Sequence, residues 1–549
     1  MQSSRFSRYV LLSFGVGWAI GVIAAEPLPV PCAACGAGAV PFAARGVAET
    51  SVSGNTLTVN QHPERAVLNW QSFNVGPNAA VKFQQPSTKS IALNRIFQAD
   101  PSQIRGQLTA NGQIYLLNQN GILFGQGAQV NVNTLVASSL DIDDAVFANE
   151  GIVGAINNGN KPALAGTGTR GAVTVENGAT LKTAEGGRIL LVAPSVENSG
   201  TLAAPGGQVI AAAAKDKAYL AVAEGDPNLR GLLVEVETGG TVTNSGTVST
   251  PRGNTTLVGL AVNQNGIVRA TTSLNVNGSI HLLARDKVSS FIKNSSGTVT
   301  PLAAHTGSLL VGQDSLTEVA LDLTPDTAVD AQAQPRSVIN LNANRIQIKS
   351  RANIAAPGGN VRIAAQSNPT EPTTGTPAAE LSVEFGAHIS TAGTTNTHVA
   401  ASRNVIEVEL RGNELRDSPL QKNGLLRSKK VAIDVRKGTP LADVAPAIAA
   451  LKRPLSERLA GGGDTELRSD GLLRIDRGAT LDVSGGQIAY DSGAVKTTKL
   501  LSHGVVYDIA NADPSRIYDG IFGQATVTHT KWGVREQFRS EERRVGTEC

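Results

Sequence analysis

"VENSGTLAAPGGQVIAAA" (Val196–Ala213) has an apolar residue at Val196, a second six positions on at Leu202, and a glycine pair before a final apolar run. An even offset puts both apolar residues on one face of an extended chain. Asn-Ser-Gly between them supplies residues able to turn a corner. The same layout recurs in "VTNSGTVSTPRGNTTLVG" from Val242, "IKSRANIAAPGGNVRIAA" from Ile348 and "IDRGATLDVSGGQIAYDS" from Ile475. "VENGATLKTAEGGRILLVA" from Val175 matches with one residue inserted before its glycines, and "VEFGAHIS" keeps the step from Val383 to Ile389. Val175 and Val196 lie 21 positions apart, Val196 and Val242 lie 46 apart, which fits one and two coils of a solenoid. The reading is an all-β fold, a right-handed parallel β-helix (β-solenoid) with short extra-helical insertions. A sandwich of hairpins competes, since Asn-Gly also favours hairpin turns, but it does not require near-multiples of one period. Roughly 20 coils at the ~4.8 Å strand spacing would make a rod of about 90 to 100 Å.

Composition agrees. In 549 residues there are 58 glycines and one methionine, and aromatics are 4%, a supply that suits thin stacked layers better than a large jigsaw core. Charged residues are 17% and the net charge is +3, with both signs interspersed, so nucleic acid is not an expected partner. The seven histidines are scattered with no ligand spacing, and no cofactor or metal is expected. Cys32 and Cys35 in "PCAAC" are compatible with a small disulfide, a redox pair or half a metal site, and no second pair completes four ligands. "DIDD" (Asp141–Asp144) reads as a helix cap or a solvated cluster. Polysaccharide lyases and hydrolases share the β-helix, but no grouped carboxylates emerge from the repeats, and no enzyme is expected.

Residues 1–25 have Arg5 and Arg8, an apolar stretch from Val10 to Ile23, then Ala24 and Ala25, the layout of a secretory signal peptide. Residues 26–45 form a Gly/Ala-rich lead segment. At the other end, residues 539–549, "RSEERRVGTEC", resemble the translation of a sequencing adapter, so the natural protein is expected to continue past Phe538. Within residues 294–538 the repeats continue, with a helical insertion near 439–463. There Thr439 is an expected N-cap, and Leu441, Val444, Ile448 and Leu451 follow at helical spacing, broken by Pro446 and Pro454.

The stretch from Leu68 to Ile142 resembles the N-terminal secretion domain of the filamentous haemagglutinin family, the TpsA exoproteins of two-partner secretion. The matching pieces include Asn69, Trp70, Gln71, Ser72, Phe73 and Asn74, then Asn94 and Arg95, then Asn111 and Gly112. "NQNGI" (Asn118, Gln119, Asn120, Gly121, Ile122) stands where most family members have Asn-Pro-Asn-Gly, with Gln119 in place of the proline. The pentapeptide recurs at Asn263–Ile267, so it reads first as a coil corner, with Asn120 and Gly121 suited to unusual φ. The resemblance implies a secretion domain over residues 46–293 and no catalytic residues. It also implies passage through the Sec machinery and recognition by a TpsB-type outer-membrane β-barrel transporter through its periplasmic modules. The implied activity is that of a secreted or cell-surface filamentous adhesin with a host or neighbouring-cell receptor or glycan. A toxin or haemolysin stalk and a β-helical carbohydrate-active enzyme are the alternatives.

Overall fold

The computed structural model describes residues 26–36, 38–150, 152, 161–222, 231–293, 299–304, 306–323, 336–367, 378–411, 413, 415–451, 453–493, 495–529, 531–532 and 534–539. The expected signal peptide, most of the "TEPTTGTPAAE" loop and the adapter-like tail after Arg539 lie outside the described residues.

Three sheets wind around one axis. Sheet I runs in parallel from Arg65–Ser72 through Gln113–Leu117 and Gln208–Ala213 to Asp464–Ser469. Sheet II runs from Ser102–Ile104 to Leu472–Ile475, and sheet III from Thr56–Gln61 to Thr480–Asp482. Strands one coil apart pair in register, so Val196, Val242 and Val262 stack, as do Leu202, Val248 and Val268. These inward rows make one continuous core from Leu57 to Ile389. The fold is a parallel β-helix. Among the described residues its longest parallel ladder, in sheet III, holds 12 strands rather than roughly 20, because capping and insertions use much of the chain.

Two features differ from the sequence reading. Val196 and Val242 pair directly, so the 46 positions between them are one coil enlarged by the inserted strands Lys217–Val222 and Leu232–Val236, not two coils. The second is a register. Val196 stacks on Val173, and Asn198 stacks on Val175, although Leu202 still meets Leu181. The corner after Asn198 is two residues shorter than the corner after Val175, and an even slip keeps both faces correct. The slip places buried polar side chains in a core row, where they pair with one another. Asn198 Nδ2 donates to Asn244 Oδ1 (2.7 Å) and Asn244 Nδ2 to Gln264 Oε1 (2.7 Å). Gln264 Nε2 ends the chain on the carbonyls of Gly266 and Leu316, both at 3.0 Å. Buried amides are tolerated when so satisfied.

In its earlier coils sheet I is apolar on both faces, whereas the last two strands, Asn360–Ala365 and Asp464–Ser469, alternate. Runs such as "RILLVA" (Arg188–Ala193) and "QVIAAA" (Gln208–Ala213) do not alternate, as strands covered on two sides do not. The outer row, including Leu93, Tyr115, Val136, Leu190 and Ile210, makes a second core. Helix Asp144–Glu150 and an antiparallel layer of Leu164–Ala165, Lys217–Val222 and Leu232–Val236 contribute to that core.

The lead segment caps the rod. Val30–Pro31 and Ala43–Arg45 pair antiparallel with the first sheet I strand, and Ala48–Ser53 pairs antiparallel with the first sheet III strand. Cys32 and Cys35 are joined in a disulfide within this cap. A cap of this kind closes strand edges that would otherwise recruit other chains.

Between Ser390 and Asp464 the chain leaves the rod in a long excursion, while sheet I continues with Asn360–Ala365 paired to Asp464–Ser469. The excursion holds a helical turn at Pro419–Lys422, and in the expected insertion the turns are Ala445–Ala449 and Leu455–Arg458, after Thr439 rather than at it. Proline lacks an N–H and fits only the first helical turn, so Pro446 sets the start. Thr439 Oγ1 instead donates to the Ile509 carbonyl (2.8 Å) and accepts from Leu441 N–H (3.3 Å). Leu441 joins Ile406, Val408, Ile433, Leu500 and Tyr518 in a separate core, so the excursion and the segment after Ala489 fold together. Leu455 and Leu459 pack on Leu274 at the rod's flank.

Candidate functional site

Asn118–Gly121 is the corner between sheet I strand Gln113–Leu117 and sheet II strand Ile122–Phe124. Asn118 is fully buried. Its Nδ2 donates to Ser102 Oγ (2.9 Å) and the Asp100 carbonyl (3.2 Å) of the preceding coil. Its Oδ1 accepts Asn120 N–H (2.9 Å), and its own N–H donates to the Ser138 carbonyl (3.0 Å) of the following coil. Gly121 N–H closes the turn on the Asn118 carbonyl (2.9 Å). One residue thus ties three coils together, its side chain holding the preceding coil and its own turn and its backbone N–H the following coil. Gly121 has φ +103°, and a Cβ there would stand 2.5 Å from the Ala172 carbonyl, so glycine is required twice over. Asn120 keeps a negative φ, against the sequence expectation, and its Nδ2 donates to the Gln98 carbonyl (2.8 Å). Gln119 is exposed.

The second "NQNGI" occupies a different corner. Asn263 and Gln264 still belong to sheet II strand Ala261–Gln264, and the chain turns at Asn265–Gly266 into sheet III. Asn263 makes one side-chain bond, to Thr243 Oγ1 at 3.3 Å.

The other family-motif residues sort by depth. Trp70 is fully buried, edge-on to Phe42 and Phe73 (5.0 and 5.2 Å), and donates Nε1–H to Asn94 Oδ1 (2.9 Å). Asn94 Nδ2 donates to the carbonyls of Ala92 (3.0 Å) and Tyr115 (3.1 Å), which satisfies a buried amide across coils. Asn69 fastens the cap, Nδ2 donating to the Pro41 carbonyl (2.8 Å) and N–H to the Phe42 carbonyl (2.7 Å). Phe73 is buried and Ser72 is half-buried beside Val30. Asn74 Oδ1 accepts Gln103 N–H (2.8 Å). Asn111 exchanges two bonds with the Gln85 backbone (2.9 and 2.7 Å), and a Cβ on Gly112 would meet Gln85 Oε1 at 2.6 Å. Gln71 and Asn111 are exposed.

Arg95 joins this scaffold to the surface. It donates from Nε to Asp141 (3.1 Å), from Nη1 to Asp144 (2.6 Å) and from Nη2 to the Ile142 carbonyl (2.7 Å). Burial opposes its charge, but Asp141 and Asp144 outweigh burial and hold the guanidinium above its ordinary range. Asp143 caps the helix that follows, accepting Val146 N–H (3.1 Å). Arg95, Gln119, Asp144 and Arg170 line a surface cleft of about 520 Å³. The motif is therefore mostly an internal hydrogen-bond frame, with Gln119 and Arg95 brought together at its surface. Such a frame positions a surface. Sequence reasoning missed the Asn198–Asn244–Gln264 row, although asparagine two positions after Val196 and Val242 was its signal. It also missed the buried pair of Glu235 with Arg285 (Nε to Oε2 2.9 Å), residues some 50 positions apart with no local pattern.

Residues 38–301 match the family model of the TPS secretion domain. The chain is 43% identical over 98 residues to the heme/hemopexin-binding protein of Haemophilus influenzae strain Rd, and 42% identical over 87 residues to another H. influenzae protein of that name. Those stretches are 18% and 16% of this chain but only 11% and 9% of the relatives, so the likeness spans about a tenth of their length. The crystal structure of the HMW1 secretion domain from H. influenzae superposes with a TM-score of 0.51 at 18% identity, covering 82% of this chain and 98% of that one, a likeness of fold.

Proposed function

We propose that this chain, which carries the N-terminal secretion domain of a TpsA exoprotein, leaves the periplasm through a TpsB-type outer-membrane transporter and acts outside as a filamentous adhesin. The match of residues 38–301 to the TPS secretion domain carries the reading. The β-helix supports it physically. Each coil pairs with its neighbours in the stack, so coils can form one by one as the chain emerges, and each added coil disfavours slipping back. No nucleotide is needed for that bias. We assign residues 46–293 to transporter recognition, residues 294–538 to the rod, Asn118–Ile122 to a turn that secretion requires, and no catalytic role to any residue. A surface receptor or glycan is the partner outside.

Export of the full chain, expressed with and without its transporter, tests the reading, and equal release without the transporter would sink it. The relatives' name favours a second reading, capture of haem or a haem-carrying host protein, because the matched segment belongs to proteins so described. Saturable binding of haem or hemopexin by the exported chain, without adhesion to cells, would favour that second reading.

A further inference from the structure

We propose that the outer face of sheet I binds a straight-chain fatty acid in a slot of about 380 Å³ near the covering layer, a role separate from secretion. The volume lies within the ~300 to 1,000 Å³ of ligand pockets. The slot's floor is Ile91, Tyr115, Val136, Leu190 and Ile210, one residue from each of five consecutive sheet I strands. Consecutive strands lie ~4.8 Å apart, so the floor extends roughly 19 Å along the rod. A modest volume over that length makes a narrow channel, which suits one extended chain and not a ring system. One wall is polar, Gln113 and Thr134.

The rim is cationic. Arg65, Lys89 and Arg188 reach it, against one carboxylate, Glu64. Glu64 is already engaged by the hydroxyls of Ser87 (2.9 Å) and Ser90 (2.7 Å), and Arg65 donates to the Ala148 carbonyl (2.9 Å). Arg188 is half-buried, and neither it nor Lys89 forms a salt bridge with a described residue. An apolar channel with surplus positive charge at its mouth fits an alkyl carboxylate, its tail on the floor and its headgroup on Arg188. Beside the slot, the outer face of sheet I packs against Val234 and Val236 of the covering layer.

The test is calorimetry on the full chain with sodium laurate below its micelle threshold, and with dodecylamine as the charge-inverted probe. Saturable laurate binding with little dodecylamine binding is expected. Arg188→Glu should weaken laurate about tenfold or more and improve dodecylamine, while Val136→Trp, which fills the channel, should abolish both. Thermal melts check that each variant folds, and Arg188→Glu, at the surface, decides the matter even where Val136→Trp does not fold. No saturable laurate binding by the wild type, or unchanged laurate affinity in Arg188→Glu, overturns the proposal. Neither result touches export, which is measured separately.

Discussion

Asn118→Ala and Asn263→Ala remove the first residue of the same pentapeptide, yet their costs should differ several-fold. Asn118 is fully buried and its side chain makes three hydrogen bonds, to Ser102, Asp100 and Asn120, at 2.9, 3.2 and 2.9 Å. At ~1 kcal/mol net for each bond, truncation costs about 3 kcal/mol, and more where a buried partner stays unpaired. Asn263 is half-buried with a single 3.3 Å bond, so its loss should cost about 0.5 kcal/mol. A solenoid opens locally, because coils answer mainly to their neighbours. Hydrogen exchange of the Gly121 and Asn118 amides is therefore the assay, supported by urea unfolding followed through buried Trp70. With ~1.4 kcal/mol for each factor of ten, Asn118→Ala should speed exchange at that corner by about 100-fold, and Asn263→Ala should speed exchange at its own corner only about twofold. Equal effects at the two corners would refute the argument that coil context, not the pentapeptide, sets the energy.

Gln119→Pro should stabilise the corner by about 0.4 to 1 kcal/mol, since Gln119 is exposed, has a negative φ and donates no hydrogen bond from its N–H to a described residue. A lower urea midpoint would contradict the turn assignment. Gly207→Ala should cost at least about 2 kcal/mol, because a Cβ there would lie 1.8 Å from the Gly187 carbonyl in the preceding coil. Gly186→Ala, at φ +77° with open space around it, should cost only about 1 kcal/mol, so comparing their melts separates crowding from dihedral strain. Burial pushes the Glu235 carboxyl up to about 7, with Arg285 opposing. A raised acid pKa means the folded state holds the proton more tightly. The stabilisation is complete below about pH 4.5 and is lost as pH rises through about 7, on the order of 1 to 3 kcal/mol. Glu235→Gln should flatten that slope in urea titrations between pH 4.5 and 8, and an unchanged slope would dismiss Glu235 as its source.

The six-residue step and the glycine corners made the coil legible, because stacking identical turns forces a periodic pattern onto the chain. The same logic hid the register at Val175. A two-residue slip preserves which side faces inward, so "VENGATL" and "VENSGTL" look equivalent while Asn198, not Val196, lies over Val175. The family motif was legible as letters, but not which letters face inward. Trp70 and Asn94 are 24 positions apart and meet only because their strands are adjacent in sheet I.

Sequence alone determined that the chain is a parallel β-helix carrying a secretion-domain motif, since local periodicity and turn chemistry act within a single coil. Tertiary structure alone decided that the earlier coils of sheet I are covered on their outer face, that the lead segment is a cap, and that the excursion makes its own core with residues near Leu500 and Tyr518. Those outcomes depend on contacts between distant segments, whose free energy comes from burying faces that no local pattern can pair in advance.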